Sequence, residues 1–169
     1  MRTSFAGILY ELGEFGQMVR SGHLRSNLKQ LYTIATGYAN SVGSGRFPEA
    51  GDGAHHAWNR ILALQPAGFP PKVFACGASG AVPVEIDEKG RFTLSAENVS
   101  YALPQKPLKQ TAMGRALASC KHVEGHDDED GVHDGHVGGM NVLYTDGSVR
   151  FVLTHDLPRD SMLPQGLAR

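Results

Sequence analysis

The amino-acid sequence predicts an α+β domain in which an N-terminal amphipathic α-helix packs on an antiparallel β-sheet with long loops. Apolar residues recur with helical spacing in the first part of the chain, whereas after residue 80 they alternate with a period of two. A high content of glycine and proline, 21 and 9 of 169 residues, favours many turns and argues against a helical bundle.

The chain length fits one domain over residues 1–169. We divide this domain into a helical part (1–40), an irregular part (41–80), an antiparallel sheet with an acidic and histidine-rich loop (81–155) and a tail (156–169). Helices precede strands in this order, which is the arrangement typical of α+β proteins.

The clearest predicted helix covers residues 23–39, with a weaker helical pattern over residues 5–20. Ser21 or Gly22 begins the helix, and the glycine-containing segment 40–45 ends it. Its apolar stripe consists of Leu24, Leu28, Leu31, Ala35 and Tyr38.

The segment 41–72 contains four prolines, which prevent long regular elements. A short helix is expected at residues 58–62. His55 and His56 precede it in a glycine-rich stretch and are interpreted as a surface loop, since adjacent residues rarely bind one metal ion together.

Residues 82–95 alternate between apolar and polar side chains on both sides of Asp87–Gly90, a pattern that predicts a β-hairpin. Val99 and Tyr101 suggest a further short strand.

The strongest local signal is a second hairpin near the C-terminus. Segments 141–145 and 148–152 flank Asp146-Gly147, a pair typical of a two-residue turn. Pairing across that turn would place four apolar side chains on one face of the sheet and so direct them into the core. They are Val142, Tyr144, Val149 and Phe151.

The charge balance excludes some classes of partner. The formal net charge is −1, from 16 basic and 17 acidic residues, so a nucleic-acid partner is not expected. The sequence also lacks an apolar run of the roughly 18 residues that a membrane helix needs, so the chain as given is not expected to contact a membrane.

Two segments together resemble a known family. The first is RSNLKQL at 25–31, continued by YAN at 38–40 and GRFP at 45–48; the second runs from His136 to Phe151, with nine residues between the histidine and Asp146-Gly147. These are similar to the post-membrane helix and the C-terminal His-x9-Asp-Gly signature of type IV pilin-like and type II secretion pseudopilin proteins, a group abundant in planctomycete-type bacteria. Smaller similarities to that family lie at 73–76, where Gly77 replaces its proline, and at 98–101.

The resemblance implies a structural filament subunit and no enzymatic activity. Its partners would be other pilin-like subunits and the secretion or pilus machinery, and its location the periplasm, the cell surface or the exterior. Family members begin with a basic leader and an apolar helix of about 20 residues. The chain as given lacks both, which suggests either a shortened form or a soluble relative.

The signature residues His136, Asp146 and Gly147 have two interpretations. They could form a ligand or recognition site, or they could serve the architecture of the hairpin. We favour architecture, because the turn already accounts for the Asp-Gly pair.

An acidic and histidine-rich block, EGHDDEDGVHD at 124–134, is the candidate metal site. Carboxylates suit Ca²⁺, the preferred ion, whereas mixed histidine and aspartate ligands suit Zn²⁺ or another transition metal. The alternative is a solvated charged loop without a ligand. The proposed metal ligands are His126, Asp127, Asp128, Asp130 and Asp134; His122, Glu124, Glu129, His133 and His136 lie in or beside the block.

The two cysteines, Cys76 and Cys120, leave two states open. Export would permit a disulfide between them, and the other state is a pair of buried thiols.

Two other functions remain as alternatives to a filament subunit. One is an extracellular binding module that keeps the pilin-like head and does not polymerise. The other is a metal-dependent hydrolase that uses His122, His126, Asp130 and His136. The chain has no nucleophile elbow, phosphate-binding loop or dinucleotide-binding fingerprint.

Overall fold

The computed structural model describes residues 25–64, 69–76, 84–120, 139–157 and 164–168. In these residues the chain forms two α-helices and an antiparallel sheet, so the prediction of an α+β fold is confirmed. The elements are α1 (25–41), α2 (Ala54–Leu64), β1 (Tyr101–Pro104), β2 (Ala116–Cys120), β3 (Gly139–Tyr144), β4 (Val149–Leu153) and the short β5 (Leu167–Ala168), with 3-10 turns at Pro71–Phe74 and Thr154–Asp156.

The strands lie in the order β4-β3-β2-β1-β5, and every neighbouring pair is antiparallel. The hairpin β3–β4 therefore occupies one edge, and β5 extends the other edge through only two residue pairs. β3 is enclosed between β2 and β4, which makes it the strand with the most complete ladder.

Helix α1 buries three of the five residues of its predicted apolar stripe against one face of the sheet; Tyr38 is half-buried, and Leu24 lies outside the described residues. Leu28, Leu31 and Ala35 are at most 1% exposed, as expected, and Ile34 and Ala39 widen the buried surface. The helix ends at residue 41, within the predicted terminating segment. A Cβ atom on Gly43 would lie 2.3 Å from the carbonyl oxygen of Arg46, so the turn after α1 requires glycine there.

Helix α2 is longer than the predicted segment 58–62. It begins at Ala54, and its buried side includes Ala57, Trp58 and Ile61. His55 and His56 therefore lie in its first turn, which corrects the expected surface loop. Two small alanines give little periodic signal in the sequence, and it is their burial against the core that extends the helix.

The predicted hairpin at 82–95 is wrong in its described part, residues 84–95. The turn forms where expected, since the Asp87 N–H donates to the Arg91 carbonyl at 2.9 Å. The flanking residues, however, form no β-ladder. The Asn59 side chain instead binds the backbone of Leu94 in both directions, at 2.8 and 2.9 Å, and ties this segment to α2.

The C-terminal hairpin is confirmed, but its predicted register is wrong by one residue. Val142 lies opposite Arg150, whereas a two-residue turn would place it opposite Phe151. The loop has three residues, 145–147: the Gly147 N–H donates to the Tyr144 carbonyl, and Gly147 adopts φ +77°. This is a type I turn followed by a left-handed residue, the usual form of a three-residue hairpin loop.

The register separates the four side chains that were expected on one face, because a shift of one residue changes the face. Val149 joins Leu143 in the main core under the helices. Val142 lies on the opposite face with Met140 and Leu157 in a smaller cluster. Tyr144 is half-buried at the edge of that cluster, and Phe151 is 50% exposed.

Candidate functional site

The two segments that carry the family resemblance meet in the fold. We call their contact the α1–hairpin junction; it consists of Arg25, Tyr32, Thr145, Gly147 and Val149. Arg25 Nη2 donates to the Val149 carbonyl at 3.3 Å, and the Tyr32 hydroxyl donates to the Thr145 carbonyl at 3.4 Å. Side chains two turns apart on α1 therefore bind the turn and the first residue of β4.

Gly147 allows the close approach of the hairpin to the helix. A Cβ atom at this position would lie 2.9–3.2 Å from three atoms of the Tyr32 ring. The left-handed φ of Gly147 adds a second requirement, since side chains with a Cβ disfavour that conformation. Gly147 is thus needed both for the turn and for its packing on Tyr32.

Thr145 connects the turn to the loop before β2. Its backbone N–H donates to the Arg115 carbonyl at 2.9 Å, and its hydroxyl accepts from the Arg115 N–H at 3.3 Å. The same hydroxyl donates to the Ala112 carbonyl. Thr145 is only 3% exposed, so these bonds satisfy polar groups that water cannot reach.

Asp146 stabilises the turn from its exposed side. Its Oδ1 accepts the backbone N–H of Ser148 at 2.9 Å. The Ser148 hydroxyl, this backbone N–H and the charge of Arg150 together lower the pKa of Asp146 below its ordinary value of 3.8. The Asp146 carboxylate therefore forms its hydrogen bond within its own turn, as aspartate side chains do in Asx-turns.

The remaining residues of the first motif also contact the fold. Asn27 Nδ2 donates to the carbonyl of Ala75 at 3.1 Å, which joins α1 to the 3-10 turn. Asn40 Oδ1 accepts from Gln110 Nε2 at 3.0 Å. Beyond the helix, the Phe47 N–H donates to the Leu108 carbonyl at 2.8 Å and its ring is buried.

These contacts give the described motif residues an architectural role. Asp146 and Gly147 form and seat a turn, and Asn27, Asn40 and Phe47 attach α1 and the segment after it to the rest of the domain. The architectural interpretation therefore agrees with the geometry of Asp146 and Gly147. His136, the third signature residue, lies outside the described residues.

The proposed metal ligands cannot be placed in the same way. The whole block from His122 to His136, including His126, Asp127, Asp128, Asp130 and Asp134, falls outside the described residues. Within the residues that are described, no group of three or more His, Cys, Asp or Glu side chains could hold a metal ion. The Ca²⁺ site and the alternative transition-metal site stay predictions.

The two cysteines lie side by side in the core, although 43 residues separate them in the sequence. Both are thiols, and they are 2% and 1% exposed. A hydrogen bond from the Cys76 side chain, together with burial, raises the pKa of Cys120. Burial also raises the pKa of the adjacent Tyr101, with smaller contributions from both sulfur atoms.

A surface cleft lies between α2 and the segment 85–93. Its volume is about 720 Å³, with Leu62 and Phe92 among its apolar lining residues. Arg91 and Asp87 also line it and form an exposed ion pair at 2.8 Å. The sequence does not predict this cleft, because the alternating residues at 82–95 indicate a pair of β-strands.

The described helices include none that is long and apolar enough to cross a membrane. Comparisons of the chain with protein-family models, with curated proteins and with solved structures found no match.

Proposed function

We propose that this protein is the globular head of a pilin-like or pseudopilin-like filament subunit, which acts through protein–protein surfaces outside the cytoplasm. The observation that carries the proposal is the α1–hairpin junction. Two sequence motifs, separated by about a hundred residues, meet here: Arg25 of the first binds Val149 of the second, and Tyr32, which directly follows RSNLKQL, binds Thr145 and packs on Gly147. The contact between the two motifs supports the view that both serve the architecture of the same domain.

The exposed side of α1 supplies a surface for neighbouring subunits. One face of the helix is buried on the sheet, while Ser26, Lys29, Gln30 and Thr33 face away from it. A rigid helix that is anchored by its own domain presents these side chains in a fixed geometry, as a repeating filament contact requires.

The proposal is tested by fractionating cells that produce the protein. Surface filaments are sheared off and pelleted, and the chain is detected in the pellet by antibody and located on filaments by immunogold electron microscopy. We expect the chain in the filament fraction, with periplasmic or extracellular partners of the same class. A chain found only as a monomer in the supernatant, with no filament labelled, would contradict the proposal.

A pair of charge reversals adds a matched control. Lys29→Glu changes the exposed side of α1, whereas Lys89→Glu changes an exposed turn in the segment beside α2. Both should leave the thermal melt unchanged, because surface substitutions alter stability little. We expect Lys29→Glu alone to reduce the pelleted fraction.

A binding module that does not polymerise is the second candidate, and the cleft beside α2 favours it. An anionic aromatic probe, 1-anilinonaphthalene-8-sulfonate, suits the apolar lining and Arg91. Saturable amide shifts at Asn59, Ile86 and Arg91, together with absence from filaments, would support this candidate. A metal-dependent hydrolase stays an alternative that elemental analysis of the purified protein tests.

A further inference from the structure

We infer that Cys76 and Cys120 form an intramolecular disulfide in the exported protein, because the fold places the two side chains in contact within its core. Three described segments position them: the end of the 3-10 turn, the start of β1 and the end of β2. Nothing in the sequence spacing of the two cysteines indicates this contact.

The backbone determines the approach of the two residues. The Ser100 N–H donates to the Phe74 carbonyl at 2.9 Å, which places the chain after the 3-10 turn beside the start of β1. In the sheet, Tyr101 lies directly opposite Cys120. Cys76 is two residues beyond Phe74, and Asn27 of α1 holds the intervening Ala75 through its carbonyl.

The side chains complete the contact. Cys76 and Cys120 belong to the same buried cluster, and the Cys76 thiol lies near enough to Cys120 to raise its pKa. A disulfide here would join the 3-10 turn under α1 to the last residue of β2. It would close a loop of roughly forty residues, a length at which a cross-link restricts the unfolded chain strongly.

Burial determines when the bond forms. Attack on a disulfide requires a thiolate, and burial and the neighbouring thiol both raise the pKa of Cys120. The folded reduced protein should therefore react slowly, and oxidation should occur during folding or after transient opening. This order of events distinguishes a structural disulfide from an exposed, reversible one.

The oxidant is a disulfide of the extracytoplasmic pool, represented in the test by oxidised glutathione. One cysteine thiolate attacks a glutathione sulfur and releases glutathione thiolate. The second cysteine thiolate then attacks the mixed disulfide at the protein sulfur, forms the Cys76–Cys120 bond and releases a second glutathione. Two electrons pass to the oxidant, and the two protons from the cysteines end on the two released glutathione thiols.

The test refolds the full chain from denaturant in two conditions, a mixture of oxidised and reduced glutathione and an excess of dithiothreitol. Each product is unfolded, alkylated with iodoacetamide and weighed by mass spectrometry. We expect the glutathione product to be a monomer without alkylation, lighter than the reduced chain by two hydrogen atoms, with peptides around Cys76 and Cys120 linked. Its melting temperature should exceed that of the reduced product by about 10 °C.

The Cys76→Ala/Cys120→Ala variant is the control, and it should melt at the same temperature in both conditions. If that variant does not fold, the wild-type chain refolded in dithiothreitol provides the reduced reference. Alkylation of both cysteines after refolding in glutathione would overturn the inference, as would glutathione adducts or cross-linked dimers as the main product.

For the native protein, the inference rests on the proposed function, which supplies an oxidising compartment. The two can fail separately. Thiols in protein isolated from its own cells, combined with a disulfide after refolding, would count against the exported location. Filaments whose subunits carry thiols would count against the disulfide alone.

Discussion

Two turns of this protein look alike in the sequence and differ in the fold. The turn at 87–91 and the hairpin tip at 144–148 each contain an aspartate that accepts backbone N–H groups and a glycine with positive φ. Only the second leads into a β-ladder, which pairs five residues of β3 with β4.

The difference lies in what surrounds the flanking segments. β3 is paired on both sides and buried on both faces, so its apolar residues and its backbone groups are satisfied by the sheet. Residues 84–94 instead run along α2, where Leu94 is 2% exposed but Ile86 is 56% exposed. Alternating apolar residues on both sides of a turn indicate only a local preference for β-strands. A β-ladder also needs a sheet or core against which both strands pack.

The largest expected effect compares an apolar residue of each region, one buried and one exposed. Leu143→Ala should lower the free energy of unfolding by roughly 2–5 kcal/mol, because it leaves a cavity between the sheet and the helices. Ile86→Ala should change it by less than about 0.5 kcal/mol, because that side chain is largely exposed. Urea denaturation followed by circular dichroism measures both. Equal losses would mean that the 84–95 segment is packed as tightly as the hairpin.

The next effect separates backbone conformation from packing. Gly90 and Gly147 have φ values of +74° and +77°, but a Cβ on Gly90 meets nothing within 4 Å, whereas one on Gly147 meets the Tyr32 ring. Gly90→Ala should cost about 1 kcal/mol of unfolding free energy, and Gly147→Ala roughly 2–3 kcal/mol.

A double-mutant cycle with Tyr32→Ala tests why Gly147→Ala should lower the free energy of unfolding more than Gly90→Ala does. Removing the ring should reduce the cost of Gly147→Ala toward the cost of Gly90→Ala, since only the conformational strain remains. Additive losses in the Tyr32→Ala background would show that the ring does not restrict the turn.

A smaller and local effect is expected at Asn59. Asn59→Ala leaves the N–H and carbonyl of Leu94 without their side-chain partner, at a cost of about 1–2 kcal/mol. Amide hydrogen exchange should accelerate at Leu94 and stay unchanged at Tyr144, whose N–H bonds Ser148 within the hairpin. Gln30→Ala, which removes an exposed bond to Ser26, is the control for a change with little effect. Faster exchange at both amides would indicate that the two regions open together.

The smallest effect is electrostatic. Backbone hydrogen bonds from Arg91 and Lys89 and the Arg91 side chain lower the pKa of Asp87, as Ser148 and Arg150 lower that of Asp146, each from 3.8. A lowered folded-state pKa stabilises the fold above the unfolded pKa, and this stability is lost as pH falls through the folded value. In Asp87→Asn and in Asp146→Asn, the free energy of unfolding should therefore fall less steeply as the pH drops below about 4 than it does in the unchanged protein. Carboxyl titrations by NMR that show no downward shift would contradict the assigned contacts.

The sequence alone determined those elements whose signal is local. The stripe of Leu28, Leu31 and Ala35 predicts α1, and the Asp146-Gly147 turn between two apolar segments predicts the β3–β4 hairpin. In both cases backbone hydrogen bonds and apolar side chains favour the same structure within a short stretch of chain, so neighbouring residues suffice.

The tertiary structure decided everything that depends on distant partners. A one-residue difference in loop length moved Val142 to the second face, and packing on α2 prevented a ladder at 84–95. The ends of α2 and the position of β2, a strand of mostly small residues, follow from burial that the local pattern does not record. Contacts such as those of Tyr32 with Gly147 and of Cys76 with Cys120 arise only in the folded domain, because they join residues that the sequence keeps far apart.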